Sequence, residues 1–350
     1  MKALPYLLIY VIPLTTGVGI WLGGAGMFLG LGLVFILIPL LDALGGLDKA
    51  NPDAESETAL DQNPLFNLTV RLWFVPQIGL IVFGLWCAVN GGWSSMEWMG
   101  AVLSVGVSSG AGGITVAHEL MHRRGKIDRG LAELLMTTAS YTHFCVEHVY
   151  GHHKHVATPE DPATARYGQS LYPFVAQSIL GGVRSAWRLE SGRVSRRKKH
   201  ARTLHDRRLR YALDLALAYG LVAMLFGSAG VFFFLTQSLV AICLLELINY
   251  IEHYGLMRQK QDNGRYQNVR PHHSWNSAHR LTRRVLVGLP RHADHHANAS
   301  RPFWKLRHLD QAPQMPAGYA AMVLLSLLPP LWFKVMNPRV RFWQEQAAIR

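Results

Sequence analysis

Nine histidines in four short clusters carry the chemistry open to this chain. His118 and His122 lie in HELMH, and His148, His152 and His153 in EHVYGHH. His253 lies in NYIEHYG, and His292, His295 and His296 in RHADHH. Imidazole is the commonest metal ligand among side chains, and nine exceed what one ion can use. Clusters far apart in the chain, each at helical spacing, predict a site for two metals. His118 and His122 are four apart, so on a helix they share a face and can grip one ion. His148 and His152 repeat that spacing, with His153 turned about 100° away and free to reach the second ion. His292 pairs with both His295 and His296, at three and four residues.

Carboxylates accompany the clusters: Glu119, Glu147, Glu252 and Asp294 each neighbour one of these histidines. Metal-bound imidazole usually donates its other N–H to a carboxylate or carbonyl. Adjacent residues on a helix point elsewhere, so each carboxylate is expected to serve a histidine of another segment. Charge balance for two divalent ions is an alternative role, compatible with the first. Asp161, Asn249, His272 and His273 are further candidates to support the ligands, with His155 and His279 close by. His200, His205 and His308 read as surface residues. Imidazole suits zinc, copper, iron and nickel alike, so residue types alone leave the metal open. HELMH resembles the HExxH pattern of zinc proteases, but that reading leaves seven histidines unexplained. A redox centre accounts better for so many nitrogen donors.

The elements that must position these clusters are membrane helices. Half of the residues are hydrophobic and 16% are charged, against roughly 25% charged in soluble domains. A bilayer span needs about 20 apolar residues, and stretches near 4–23, 25–45, 71–90, 97–117, 211–228 and 230–251 qualify. Glycine-rich turns separate the paired spans. Lys2 and the apolar run after it imitate a signal peptide, but no cleavage signal follows, so a retained span is expected. The net charge of +13 comes from Lys and Arg lying between apolar spans. It marks a cytoplasmic membrane face rather than a nucleic-acid-binding domain. The loaded segment 123–210 and the tail 252–350 are therefore placed in the cytoplasm. The acidic loop 46–70 dissents from that rule. The apolar run at 319–336 is interrupted by Pro329-Pro330 and reads as interfacial or re-entrant. Cys87, Cys145 and Cys243 are widely spaced without a CxxC pair, which excludes a disulfide framework and a thiolate site. Small residues in SVGVSSGAGGITVAHE let helices approach closely or leave room for an alkyl tail. A transporter would hold its polar ligands near the bilayer midplane, whereas these clusters fall at span ends.

The segments HELMH at 118–122, EHVYGHHKHVATPEDPA at 147–163, NYIEHYGL at 249–256, RPHHSWNSAH at 270–279 and LPRHADHHANASRPF at 289–303 resemble the integral-membrane alkane hydroxylases. These belong to the histidine-rich membrane desaturase–hydroxylase superfamily. The resemblance implies two non-haem iron ions held by the nine histidines, and oxidation of an alkane's terminal methyl group to a primary alcohol. It implies dioxygen as oxygen source and electrons from rubredoxin, itself served by an NADH-dependent reductase. It also implies the cytoplasmic (inner) membrane of a bacterium. Where the family usually has LQRHSDHH, this chain has Pro290 and Ala293, which keeps the histidines but leaves the substrate subfamily open. Xylene-type methyl hydroxylation and lipid desaturation are the alternatives. The basic stretch from Arg193 to Arg210, including Arg196, Arg197, Lys198 and Lys199, is read as a headgroup anchor or as a docking surface for an acidic electron carrier. The expected architecture is a single all-α integral membrane domain over 1–350: six transmembrane helices with a cytoplasmic, histidine-rich diiron cap.

Overall fold

Turn and cap residues divide the chain into its helices. The computed structural model describes residues 3–196 and 203–349. Helix α1 (Leu4–Leu22) turns at Gly23, φ 69°, into α2 (Gly24–Gly45), and α3 (Pro64–Asn90) turns at Gly92, φ 59°, into α4 (Ser95–Met121). Positive φ at both turns favours glycine. Ser94 starts α4 with a capping box: its hydroxyl accepts from Glu97 N–H while the Glu97 carboxylate accepts from Ser94 N–H. The amphipathic α5 (Lys126–Thr138) follows, then α6 (Leu171–Arg196) and α7 (Arg207–His253). Helix α6 buries Phe174, Ser178, Gly182, Ala186, Glu190 and Val194. That four-residue interval gives one face to the protein.

Among the described residues, five helices are long and apolar enough to cross a membrane: α1, α2, α3, α4 and α7. The chain is a multi-pass membrane protein. Six separate spans were expected from sequence, and α7 absorbs the last two. It runs for 47 residues, about 70 Å at helical rise, roughly twice a bilayer's hydrocarbon core. Its helical geometry breaks at Gly227, φ 62° and ψ −162°, where the expected fifth and sixth spans would meet.

Helix α4 is the centre of the bundle. Its most apolar window is 83% buried by protein, against 28–44% for the other four. Small residues permit this. A Cβ on Gly106 would fall 2.4 Å from Val240 Cβ, and one on Gly112 would fall 2.2 Å from the Trp73 ring. At Ser109–Ile114 the helix widens into a π turn. There Gln77 donates to the Ser109 hydroxyl (2.8 Å), which donates to Gln237 (2.9 Å), which in turn donates to the Thr138 carbonyl (2.9 Å). Buried polar side chains of α3, α4 and α7 are thereby linked across the apolar bundle.

The acidic loop that dissented from the charge rule binds the basic C-terminal cap. Asp48 pairs with Arg283 at 2.7 Å, Glu57 with Arg307 at 2.7 Å, and Asp61 with Lys305. Asp42 accepts from the Leu281 and Thr282 amides and from the Thr282 hydroxyl. The loop and the cap therefore share one membrane face, and the loop's acids answer the cap's cations. Beyond α8 (His292–Ala297), the run at 319–336 forms α9 (Tyr319–Ser326) and the start of α10 (Pro329–Ile349), with a break between them. Neither qualifies as a span.

Close packing at Gly106 sets an expectation. Gly106→Ala should lower the thermal midpoint of the detergent-solubilised protein, since overpacking costs about 1–3 kcal/mol. Gly32→Ala, where an added Cβ meets nothing within 4 Å, should be neutral or gain up to about 1 kcal/mol. Equal midpoints for the two variants would contradict the packing assignment.

Candidate metal centre

Four elements bring the nine histidines together at the face carrying the cap. His118 lies in the last turn of α4 and His122 caps that helix. His148, His152 and His153 lie on a short helical run over 144–155. His253 ends α7, and α8 supplies His292, His295 and His296. Buried Arg291 seats α8, donating to the carbonyls of Leu306 (2.5 Å) and Ala50 (2.7 Å).

The rings form two sets. His118, His122, His148, His153 and His295 converge in one; His152, His253, His292 and His296 converge in the other. Within each set one ligand atom per residue lies within 4.8 Å of all the others. His118 and His122 share a set, as their spacing indicates. The expected pairing of His148 with His152 is overturned: His148 joins His153, and His152 goes to the second set. The reason is local, because His148–His152 is a π turn. Its wider winding places residues five apart on one face. On α8, His292 keeps His296 (Nε2 to Nε2 2.9 Å) while His295 turns to the first set, 3.1 Å from His153 Nε2.

These sets fit metal ions. His148 Nε2 faces both His122 Nε2 (3.0 Å) and His153 Nε2 (3.1 Å), and His292 Nε2 faces both His253 (3.1 Å) and His296. A neutral imidazole has one N–H, so such convergence leaves lone pairs opposed. A cation among them removes that conflict. Asp161 Oδ2 accepts the Nδ1 proton of His152 at 2.9 Å, which fixes the tautomer with a bare Nε2. That Nε2 is buried and without a hydrogen-bond partner, as is His118 Nε2. Asp161 is itself held by Thr164 (2.6 Å) and the Ala163 amide (3.1 Å).

Two carboxylates, among the described residues, reach ring nitrogens of the nine: Asp161 at His152, and Glu252, whose Oε2 lies 3.3 Å from His292 Nε2. Glu252 belongs to another segment than His292, whereas Asp161 lies nine residues beyond His152 in the same stretch. Three other candidates do otherwise. Glu119 pairs with Arg123 (2.9 Å), and Asp294 with Arg301 (2.9 Å). Glu147 is buried beside Gly151 and Ser185, and burial raises its pKa to about 8. Arginines four and seven residues further along capture the first two. Asn249 donates to Glu246 at 3.1 Å. His273 accepts from the Arg270 amide, with its ring against His272. Neither joins the two sets. His155 pairs with Glu160, while His308, expected at the surface, is 5% exposed, its backbone amide donating to Asn51. Of the expected docking residues Arg196 is exposed, and Arg197, Lys198 and Lys199 lie outside the described residues. Arginines around them are ion-paired within the chain: Arg193 and Arg207 share Glu190, Arg208 meets Asp206, and Arg210 meets Glu133.

Sequence reasoning missed Tyr319, whose hydroxyl donates to Glu252 Oε1 at 2.8 Å. A lone tyrosine far along the chain carries no signal for this. Both residues line a cavity with His118, His148 and His292; Thr115, Asn249 and Thr282 add polar groups, and the rest of its walls are apolar, including Ile12, Val34, Ile38, Leu244 and Val323. At the substituted family positions, the Pro290 carbonyl accepts from Ser277 and the Ala293 amide donates to Asn276 Oδ1 at 2.7 Å. The backbone there is held whatever the side chains.

An all-helical membrane bundle enclosing two histidine sets defines the class of histidine-rich membrane desaturases and hydroxylases. Residues 96–326 match the family model for fatty acid desaturase. Alkane 1-monooxygenase 2 of Pseudomonas aeruginosa is 45% identical over 319 residues, 90% of this chain and 84% of the relative. Alkane 1-monooxygenase 1 of the same organism is 46% identical over 314 residues, covering 88% and 81%. The xylene/toluene monooxygenase hydroxylase component XylM of Pseudomonas putida is 31% identical over 356 residues, 99% and 92%. The chain belongs to the alkane 1-monooxygenase family.

Elemental analysis of the purified protein should find two metal ions per chain. Replacing His292 and His296 together with alanine should leave one. A wild-type stoichiometry of one would break the two-set assignment. Burial also sets a pH dependence. It holds His122 down at about 3, and His148, His153, His292, His295 and His296 well below their ordinary value. For His152 burial acts the same way, but Asp161 overrides it and holds the ring above its ordinary value. When the chain unfolds, these six depressed groups take up protons below about pH 6.5. The unfolded state then binds more protons, so stability present above that pH is lost as pH falls. The thermal midpoint of metal-stripped protein should therefore drop between pH 7.5 and 5.5; a flat profile would contradict it.

Proposed function

We propose that this chain is a diiron monooxygenase that converts the terminal methyl of n-alkanes to a primary alcohol. One alkane, one dioxygen, two electrons and two protons give one alcohol and one water. The observation that carries the reading is the direct opening of both histidine sets, through His118, His148 and His292, onto an apolar cavity. An alkane offers no polar handle, so its affinity must come from such walls. Burial contributes about 0.8 kcal/mol per methylene.

The nine histidines would hold two non-haem irons, which when bound activate dioxygen for attack on a strong C–H bond. The chain's own part is positional. Asp161 keeps the His152 proton on Nδ1 and the Nε2 lone pair inward. Tyr319 fixes one oxygen of Glu252 and leaves the other toward His292. Apolar walls orient the methyl group and exclude water, which would otherwise intercept the oxidant. We place electron supply with rubredoxin and its NADH-dependent reductase. Six crossings, with α7 turning at Gly227, put both chain ends and the histidine cap on the cytoplasmic face of a bacterial inner membrane. The excess of Lys and Arg on that face supports this orientation.

Purified protein loaded with iron, supplied with rubredoxin, reductase and NADH under oxygen-18, should turn octane or hexadecane into labelled 1-alkanol. Alcohol without label would refute monooxygenation. Preferential oxidation of xylene in the same panel would move the chain toward the alkylaromatic hydroxylases, to which XylM's 31% identity is the pointer.

A further inference from the structure

Helix α6 turns outward a face that the histidine sets do not use. Tyr172, Ala176, Leu180, Val183 and Trp187 recur at three- and four-residue intervals, and all five are exposed. Such a stripe is one side of a helix, yet α6 is not among the helices apolar enough to span. Both of its ends meet elements at the membrane. Val183 and Trp187 line a pocket with Ala212 and Leu215, where the apolar run of α7 begins. Tyr172 donates its hydroxyl to the Leu327 carbonyl at 2.8 Å, at the break between α9 and α10, where Leu327 and Leu328 are exposed. An amphipathic helix so placed lies in the plane of the membrane surface, with its tryptophan at headgroup level.

Arginines border that stripe. On one side Arg184 and Arg188, a turn apart, share a surface hollow with Val183 and Trp187. On the other they line a groove of about 520 Å³ together with Arg166 and with Leu180 of the stripe. All three arginines are exposed, and among the described residues none of their guanidinium groups takes part in an ion pair or a hydrogen bond. Two acids also line the groove, but each is engaged. Glu160 pairs with His155 at 2.8 Å, and Asp161 is buried against His152 and Thr164. Unpaired cations sharing a groove with an outward-facing leucine fit an anion that carries apolar chains. We propose that this groove binds the phosphate of an anionic phospholipid, whose acyl chains lie along Leu180, Val183 and Trp187. Basic pockets beside membrane helices suit such headgroups. A free anion or a water-soluble acidic partner would leave the stripe against water, where contiguous apolar surface is disfavoured. The loop beside the groove is tied to α6 by Gln177, which donates to the Pro162 carbonyl at 3.0 Å. The phosphate then bridges Arg166 of that loop to Arg184 and Arg188 of α6.

The test uses delipidated full-length protein in neutral detergent, with dioleoylphosphatidylglycerol as probe. Native mass spectrometry and a fluorescent-lipid titration should give one saturable phosphatidylglycerol per chain. Phosphatidylcholine should bind at least about tenfold more weakly, since cations beside the site favour a net negative headgroup. R166Q/R184Q/R188Q should lose at least about tenfold in phosphatidylglycerol affinity, without change in metal content or elution volume. R166K/R184K/R188K, which keeps the charge, should retain most of the affinity, and this separates loss of the site from loss of the fold. K126Q/R129Q, which removes two exposed cations of α5, should bind as the unaltered protein does; an equal loss there overturns the proposal in favour of diffuse surface attraction. Undiminished lipid affinity in R166Q/R184Q/R188Q overturns it too, most plainly if binding of an acidic rubredoxin weakens instead. Equal thermal stabilisation by inorganic phosphate assigns the arginines to a free anion and also overturns it. In nanodiscs, lipids with brominated acyl chains should quench Trp187, read as the difference between unaltered protein and W187F. No such quenching would place α6 in water and sink the proposal.

Discussion

Imidazole nitrogens pressed to 2.9–3.1 Å from one another inside an apolar bundle are the constraint on which the other features turn. Opposed lone pairs and unpartnered buried nitrogens are costly in such surroundings, and a cation among them offsets the cost. The fold must hold four remote segments against that repulsion before any ion arrives. It does so with a π turn at His148–His152, a buried arginine under α8, and the Asp161 carboxylate locking His152. Weakness in any of these would let the rings swing apart.

The same constraint explains the placement of α4. It carries His118 at the end of the most buried helix, where glycines let Val240 and Trp73 close in. Close packing keeps water from the inner face of the histidine sets while Gly110 and Ala111 still border the cavity. The outer face has the opposite requirement, since reagents from water must reach it. The acidic loop between α2 and α3 closes part of that side by pairing with the cap, which explains why its charge departs from that of its neighbours.

Much of this was legible in the residues. The nine histidines, the apolar stretches and the glycine turns at Gly23 and Gly92 were all readable, because each is a local pattern with a local cause. The partition of the rings was not. His148 and His152 look like a four-residue pair, and only the π turn sends them to different sets. Adjacent carboxylates misled in a similar way. Glu119 and Asp294 sit beside histidines in sequence, yet arginines four and seven residues away capture them. His308 read as a surface residue because nothing nearby reveals that Asn51, more than two hundred residues earlier, binds its backbone amide and carbonyl and holds it inside the fold.

The sequence by itself determined the chemistry available: nitrogen donors in helical register, carried by helices too apolar for water. Periodicity and composition are enough for that, since they act over a few residues. Tertiary structure alone decided which ring joins which set and that Tyr319 steadies Glu252. Each of these depends on the relative placement of segments far apart in the chain, which packing settles and residue spacing does not encode.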